Sequence, residues 1–139
     1  MKVLHQFITV STRGKRTYEI TQAIQGVVRQ SLVRTGVVTV FIRHTSASLV
    51  TYENVDPTAR EDLHAYFERA VPEGDPNLVH TTEGSDDSTG HLRAALTRTS
   101  ETFPIVCGSL TLGTWQGIFV FEHRKTAHSR VVDITAIGI

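Results

Sequence analysis

The C-terminal third of the chain constrains the fold most. Three stretches there, FPIVCGSLTL (103–112), GIFVFEH (117–123) and RVVDITAI (130–137), are rich in β-branched and aromatic residues, and no helical period separates them. Strands joined by short connections pair antiparallel, because a parallel return needs a crossover of a dozen or more residues. The helical patterns lie earlier in the chain. The segregation predicts an α+β fold with mixed or antiparallel sheets and about three helices.

Earlier in the chain, QFITVST (6–12) alternates like a first strand. From Ile20 the period lengthens: Ile20, Ile24, Val27, Val28, Ser31 and Leu32 share a helical face, with Gly36 as the terminator. VVTVFIRH (37–44) reads as a buried strand and SASLVTYE (46–53) as its continuation or partner. Asp56-Pro57 has the chemistry of a helix start, followed by an inner stripe of Ala59, Leu63, Tyr66, Phe67 and Ala70. A third, short helix is expected from about His91, with Leu92, Ala95 and Leu96 inward, and Cys107 is expected to be buried in a strand.

The chain of 139 residues fits one domain, 1–139. Fourteen basic and fourteen acidic side chains cancel, which gives no electrostatic footprint for nucleic acid or an anionic membrane. No spanning segment or basic-then-apolar leader is visible, and the single cysteine fits a reducing compartment, so a cytoplasmic location is the expectation.

The chemistry concentrates in HTTEGSDDSTGH (80–91), where His80 and His91 bracket Glu83, Asp86 and Asp87. Long polar loops in compact domains are often functional. The two imidazoles converge only if the loop folds back, which Gly84 and Gly90 would permit. Imidazole and carboxylate are zinc donors, and the vicinal aspartates also suit Mg²⁺. The same stretch also reads as a solvated acidic loop, since its histidine spacing matches no standard metal motif.

Three further stretches offer polar groups. RHTSASL (43–49) places Arg43, His44, Ser46 and Ser48 at a strand end, suited to holding a phosphate or to pairing with backbone. YENVDP (52–57) contributes Glu53 and Asn54 as groups that orient a ligating imidazole, and Asp56 as a cap. LGTWQGIFVFEHR (112–124) offers Trp115 and Gln116 for a heteroaromatic ring. On the same stretch Glu122 needs a partner if buried, with Arg124, Lys125 and Arg130 available to pair with it or to grip an anion.

Taken together, HTSASL, ENVDP, H-x2-EG-x-DD-x3-H, LGTWQGI and EHR, in this order, resemble the YjbQ-like family, also called the secondary thiamine-phosphate synthase family. The resemblance spans about His5 to Gly138 and departs from the family pattern at Tyr52 and His123. It implies a homotrimer with sites near subunit boundaries, and a weak ability to join a hydroxymethylpyrimidine diphosphate to a thiazole phosphate.

On that basis His80 and His91, with His44 or a carboxylate, are expected to hold a divalent ion, Zn²⁺ or Mg²⁺. Glu83, Asp86, Asp87 and Glu122 are the candidate catalytic carboxylates. Arg43 and Arg130 would neutralise a diphosphate, while Ser46, Ser48, Glu53, Asn54, Trp115 and Gln116 would contact a small phosphorylated substrate. A metal-dependent hydrolase of a phosphoester or amide, and a trimeric binder without turnover, use the same groups.

Overall fold

A computed structural model describes residues 1–139. In chain order the elements are β1 (Lys2–Arg13), β2 (Thr17–Glu19), α1 (Thr21–Ser31), β3 (Thr35–Ile42), β4 (Ala47–Glu53), α2 (Pro57–Ala70), α3 (Asp87–Leu96), β5 (Ser100–Val106), β6 (Ser109–Leu110), β7 (Gln116–Glu122) and β8 (Ala127–Gly138). They form a five-stranded sheet, β1-β8-β3-β5-β6, and a three-stranded sheet, β2-β7-β4. Every strand pair is antiparallel, so of the two arrangements expected from sequence the antiparallel one is found.

The core lies between the sheets. The inward residues of β3 and β8 (Val38, Val40, Ile42, Val132, Ile134, Ala136) meet Leu49, Ile118 and Val120 of the smaller sheet, and α1 adds Ile24, Val27 and Val28. Each such side chain, removed from water, contributes about 1.5–3 kcal/mol.

Several local expectations are corrected. SASLVTYE neither extends nor pairs with β3: β4 pairs with β7, Ala47 opposite Glu122 and Glu53 opposite Gln116. FPIVCGSLTL is not one strand but a hairpin whose two-residue turn, Cys107-Gly108, has φ of 52° and 78°. Positive φ at both positions suits the twist of a tight hairpin and leaves Cys107 exposed. Helix α1 ends at Leu32 in the left-handed region, and Gly36 lies within β3.

Helix α2 starts where Asp56-Pro57 indicates, with the Asp56 carboxylate accepting from Thr58 N–H at 3.0 Å. Only Phe67 of its expected stripe is buried, and Tyr66 is 57% exposed. Helix α3 starts at Asp87, earlier than its apolar pattern suggests. It buries Asp87, Thr89, Gly90 and Arg93, while Leu92 and Leu96 face outward. Its inner face is polar because it carries a cluster of charged groups to the end of the smaller sheet.

Candidate functional site

The first turn of α3 aims Asp87 inward at the mouth of the 80–86 loop. Its Oδ2 lies 2.7 Å from His80 Nε2 and 3.1 Å from His91 Nε2. The two imidazole rings have centroids 5.4 Å apart. One donor atom from each of the three residues falls within 4.8 Å of the others. The loop therefore folds back and brings its two histidines onto one carboxylate, which is itself buried.

His91 and Asp87 are each held from behind. His91 Nδ1 faces the Thr45 carbonyl oxygen at 2.8 Å. A carbonyl only accepts, so Nδ1 carries a proton, and Nε2 faces Asp87 with a lone pair in the neutral ring or a proton in the charged one. Asp87 Oδ1 accepts from Arg124 Nη1 at 2.7 Å, which leaves Oδ2 for the imidazoles. The same guanidinium donates to the Glu83 carbonyl oxygen at 2.9 Å and lies 3.3 Å from Asp86 through Nε. Asp86 also accepts from Lys125 N–H at 2.7 Å. Burial pushes both aspartates up, but it is outweighed. Hydrogen bonds and nearby cations, from Lys125 and Arg124 for Asp86 and from His80, His91 and Arg124 for Asp87, hold both below the usual carboxylate range.

An open cavity of about 440 Å³ adjoins the cluster, lined by His44, Thr45, His91, Ala94, Ala95 and Thr99. His44 borders this cavity but stands outside the cluster. Its Nε2 accepts from Val131 N–H at 2.8 Å, which takes the ring's one neutral lone pair. Burial and the charge on Arg130 push its pKa down. The Glu83 carboxylate is exposed at the loop and enters no ion pair or hydrogen bond.

The remaining predicted residues lie elsewhere. Glu122 is fully buried, with Arg130 Nε and Nη2 at 2.7 and 2.5 Å, the Thr12 hydroxyl at 2.5 Å, and the His123 and Arg124 amides at 3.0 and 3.1 Å. Burial raises its pKa, and these donors more than reverse the effect. The Ser46 hydroxyl accepts from the same Arg130 Nη2 at 3.0 Å, and Ser48 bonds His123 Nε2 at 2.8 Å. Arg43 is paired with Asp133 through two contacts of 2.5 and 2.6 Å. Glu53 caps the amides of Val55 and Asp56, Asn54 bonds Glu19, and Gln116 folds back onto Gly113 N–H. Trp115 is 59% exposed. These last four residues sit at one end of the β4–β7 pair and the Ser46–His123 region at the other, about 20 Å away along seven residues of strand.

Two further positions are only partly visible in the sequence. Arg124 stands out as a possible partner for Glu122 or grip for an anion, not as the cation beside Asp86 and Asp87, and His123 only as a departure from a pattern. The signal for Arg124 is physical: two adjacent buried carboxylates require a cation, and the residue after a strand end is placed to provide one.

The fold and cluster define a class: an antiparallel α+β domain with a His–Asp–His group at the N-terminus of its third helix. The family described as UPF0047 protein YjbQ-like matches residues 6–139, and the chain belongs to it. A UPF0047 protein of Synechocystis is 48% identical over 96% of this chain and 90% of its own length. The YjbQ protein of Escherichia coli O157:H7 is 36% identical over 94% and 95%. A solved structure of a YjbQ/UPF0047 protein from Clostridium acetobutylicum superposes with a TM-score of 0.87 at 29% identity, covering 95% of this chain and 99% of that one. No helix of the protein is long and apolar enough to cross a membrane.

Proposed function

We propose that the protein is a divalent-cation-assisted enzyme acting on a small polar substrate in the cavity beside His91. The observation that carries this reading is the convergence of His80 Nε2, Asp87 Oδ2 and His91 Nε2, with the second nitrogen of His91 committed to a carbonyl. Metal-bound histidines are characteristically oriented in this way through their other nitrogen. Two imidazoles and one carboxylate with an open side form a donor set of catalytic zinc sites. Magnesium would favour more oxygen donors. When bound, such an ion supplies Lewis acidity and makes a water acidic near neutral pH.

The chain's own groups divide the remaining work. Arg124 fixes Asp87 so that one oxygen faces the imidazoles. Glu83, unpaired at the mouth of the loop, is the free carboxylate able to take a proton. His44 forms part of the cavity wall, its ring held by Val131 N–H at Nε2 and by Arg130 Nη1, 3.4 Å from Nδ1, and the methyls of Ala94 and Ala95 form the apolar side.

The family resemblance supplies the reaction to test first, the coupling of hydroxymethylpyrimidine diphosphate with thiazole phosphate. One observation favours a second reading, hydrolysis of a small phosphoester or amide. The cavity beside His91 has no cationic lining, and Arg43 and Arg130 are engaged by Asp133 and Glu122. A diphosphate would therefore depend on the ion alone in a single chain.

Metal analysis of the purified protein and of His91→Ala, with circular dichroism to confirm folding, tests the common core. The expected result is loss of bound ion and turnover together. A folded His91→Ala that keeps its metal overturns the ligand set. Incubation with both precursors then separates the readings: coupled product supports the transferase, and release of phosphate without coupling supports the hydrolase.

A further inference from the structure

One cavity is lined, apart from Pro57, by polar and charged residues. It lies between the β1–β2 turn and the first turns of α2, has a volume of about 340 Å³, and is walled chiefly by Lys15, Arg16, Thr17, Arg60, Glu61 and His64. Three of these side chains are cationic and only one is a carboxylate, in a chain whose total charge is zero. Lys15 is already matched by Glu68 and Glu73 at 3.2 and 3.3 Å. Arg16 and Arg60 enter no ion pair.

The Arg60 and His64 side chains are held in place, and Arg16 is anchored through its backbone. Arg60 donates from Nη1 to the Glu53 carbonyl oxygen at 3.1 Å, and its guanidinium sits 5.5 Å from the centroid of the Phe119 ring. The Arg16 backbone is tied down where its carbonyl accepts from Glu122 N–H at 2.9 Å. His64 Nε2 accepts from Thr17 N–H at 3.2 Å. In the neutral ring that puts the proton on Nδ1, as a further donor. Burial, then Arg16 and Arg60, push the His64 pKa below its ordinary value, while Glu61 opposes them.

Guanidinium groups recognise tetrahedral oxyanions through paired N–H donors, and a doubly charged group gains most from two of them. We propose that this cavity is a second ligand site, which takes a phosphoryl group, as inorganic phosphate or a phosphomonoester, between Arg16 and Arg60. No residue of this cavity lines the one beside His91. The proposal therefore stands whether or not the His–Asp–His cluster holds metal.

The test follows the His64 ring signals by NMR in the full chain while inorganic phosphate or methyl phosphate is added, against sodium chloride at matched ionic strength. The expected result is a saturable shift with at least one phosphate probe and none with chloride. The shift should weaken about tenfold or more in the Arg16→Gln/Arg60→Gln double variant, and persist in His91→Ala. Saturation by inorganic phosphate alone assigns the site to the free ion, and saturation by both probes extends it to phosphomonoesters. Should the double variant fail to fold, Arg16→Gln alone serves, because that side chain is exposed. A response that never saturates, that chloride reproduces, or that survives loss of the arginines overturns the proposal.

Discussion

Asp87 divides its two oxygens between opposite partners, and that division depends on one guanidinium. Arg124 binds Oδ1, the Glu83 carbonyl and Asp86 at once, so it stitches the histidine-bearing loop to the start of α3. Arg124→Gln should keep the fold and weaken metal binding about 10–100-fold, the usual effect of removing a group that orients a ligand. Competition with a chromophoric chelator measures it, and Arg124→Lys should restore little, because an ammonium cannot reproduce the three-way fork. Unchanged affinity in both variants would show that Asp87 needs no such support.

His123 gives a second prediction at this scale. Burial above all, then Arg93, pushes its pKa from 6.5 to about 3. The unfolded chain therefore holds one more proton than the native chain between those two values. Stability should fall as pH drops from about 6.5 toward 3 and be indifferent to this group above that window, with a slope of at most about 1.4 kcal/mol per pH unit. His123→Gln can still bond Ser48 and should flatten this segment of a urea-midpoint profile.

At the scale of elements, β3 and β8 come close at two glycines. A Cβ on Gly36 would stand 2.1 Å from the Ile137 carbonyl oxygen, and one on Gly138 2.2 Å from that of Thr35. Both clashes are with backbone, which cannot rotate aside. Gly36→Ala should cost about 3 kcal/mol or more, read as a lowered midpoint of chemical unfolding. Gly90→Ala should be tolerated, since its Cβ would meet Ser46 and His123 at ordinary contact distances of 3.4 and 3.5 Å.

The same contrast explains what the sequence discloses. Gly36 reads as a helix terminator because one chain does not reveal which strand will lie against it. The β-branched and aromatic runs of β3, β7 and β8 and the Asp56-Pro57 start are legible because strand propensity and capping are local in origin. The inner face of α3 is not, because apolar periodicity points to Leu92 and Leu96 while charge pairing across the fold buries Asp87 and Arg93. His80, Asp87 and His91 stand out as a polar cluster, but their convergence requires the loop's path.

Over the whole molecule, α1 covers only the inner face of the larger sheet. The outer face leaves Val3, Phe7, Val37, Phe41 and Ile137 exposed by 62, 61, 38, 44 and 39%. Phe7 and Phe41 both neighbour Asp133 in register, Val3 and Val37 both neighbour Ile137, and Arg43 lies 5.7 Å from the centroid of the Phe7 ring. The row His5, Thr135 and Thr39 runs between these two sets, so the face mixes exposed apolar side chains with polar ones, as interaction faces do, and the homotrimer that the family resemblance implies would cover it. Light scattering on the native protein should then give about three chain masses, and a charge placed on the face, Phe41→Glu, should reduce that to one.

A folded variant that stays trimeric would move the assembly to another surface, and a monomeric native protein would remove the trimer altogether. The monomeric variant has a further use. His80, Asp87 and His91 all come from one chain, whereas Glu53, Asn54, Trp115 and Gln116 lie at the far end of the smaller sheet. A separated subunit should therefore still bind metal, and it should lose turnover only if those distant groups reach the cavity of a neighbouring copy.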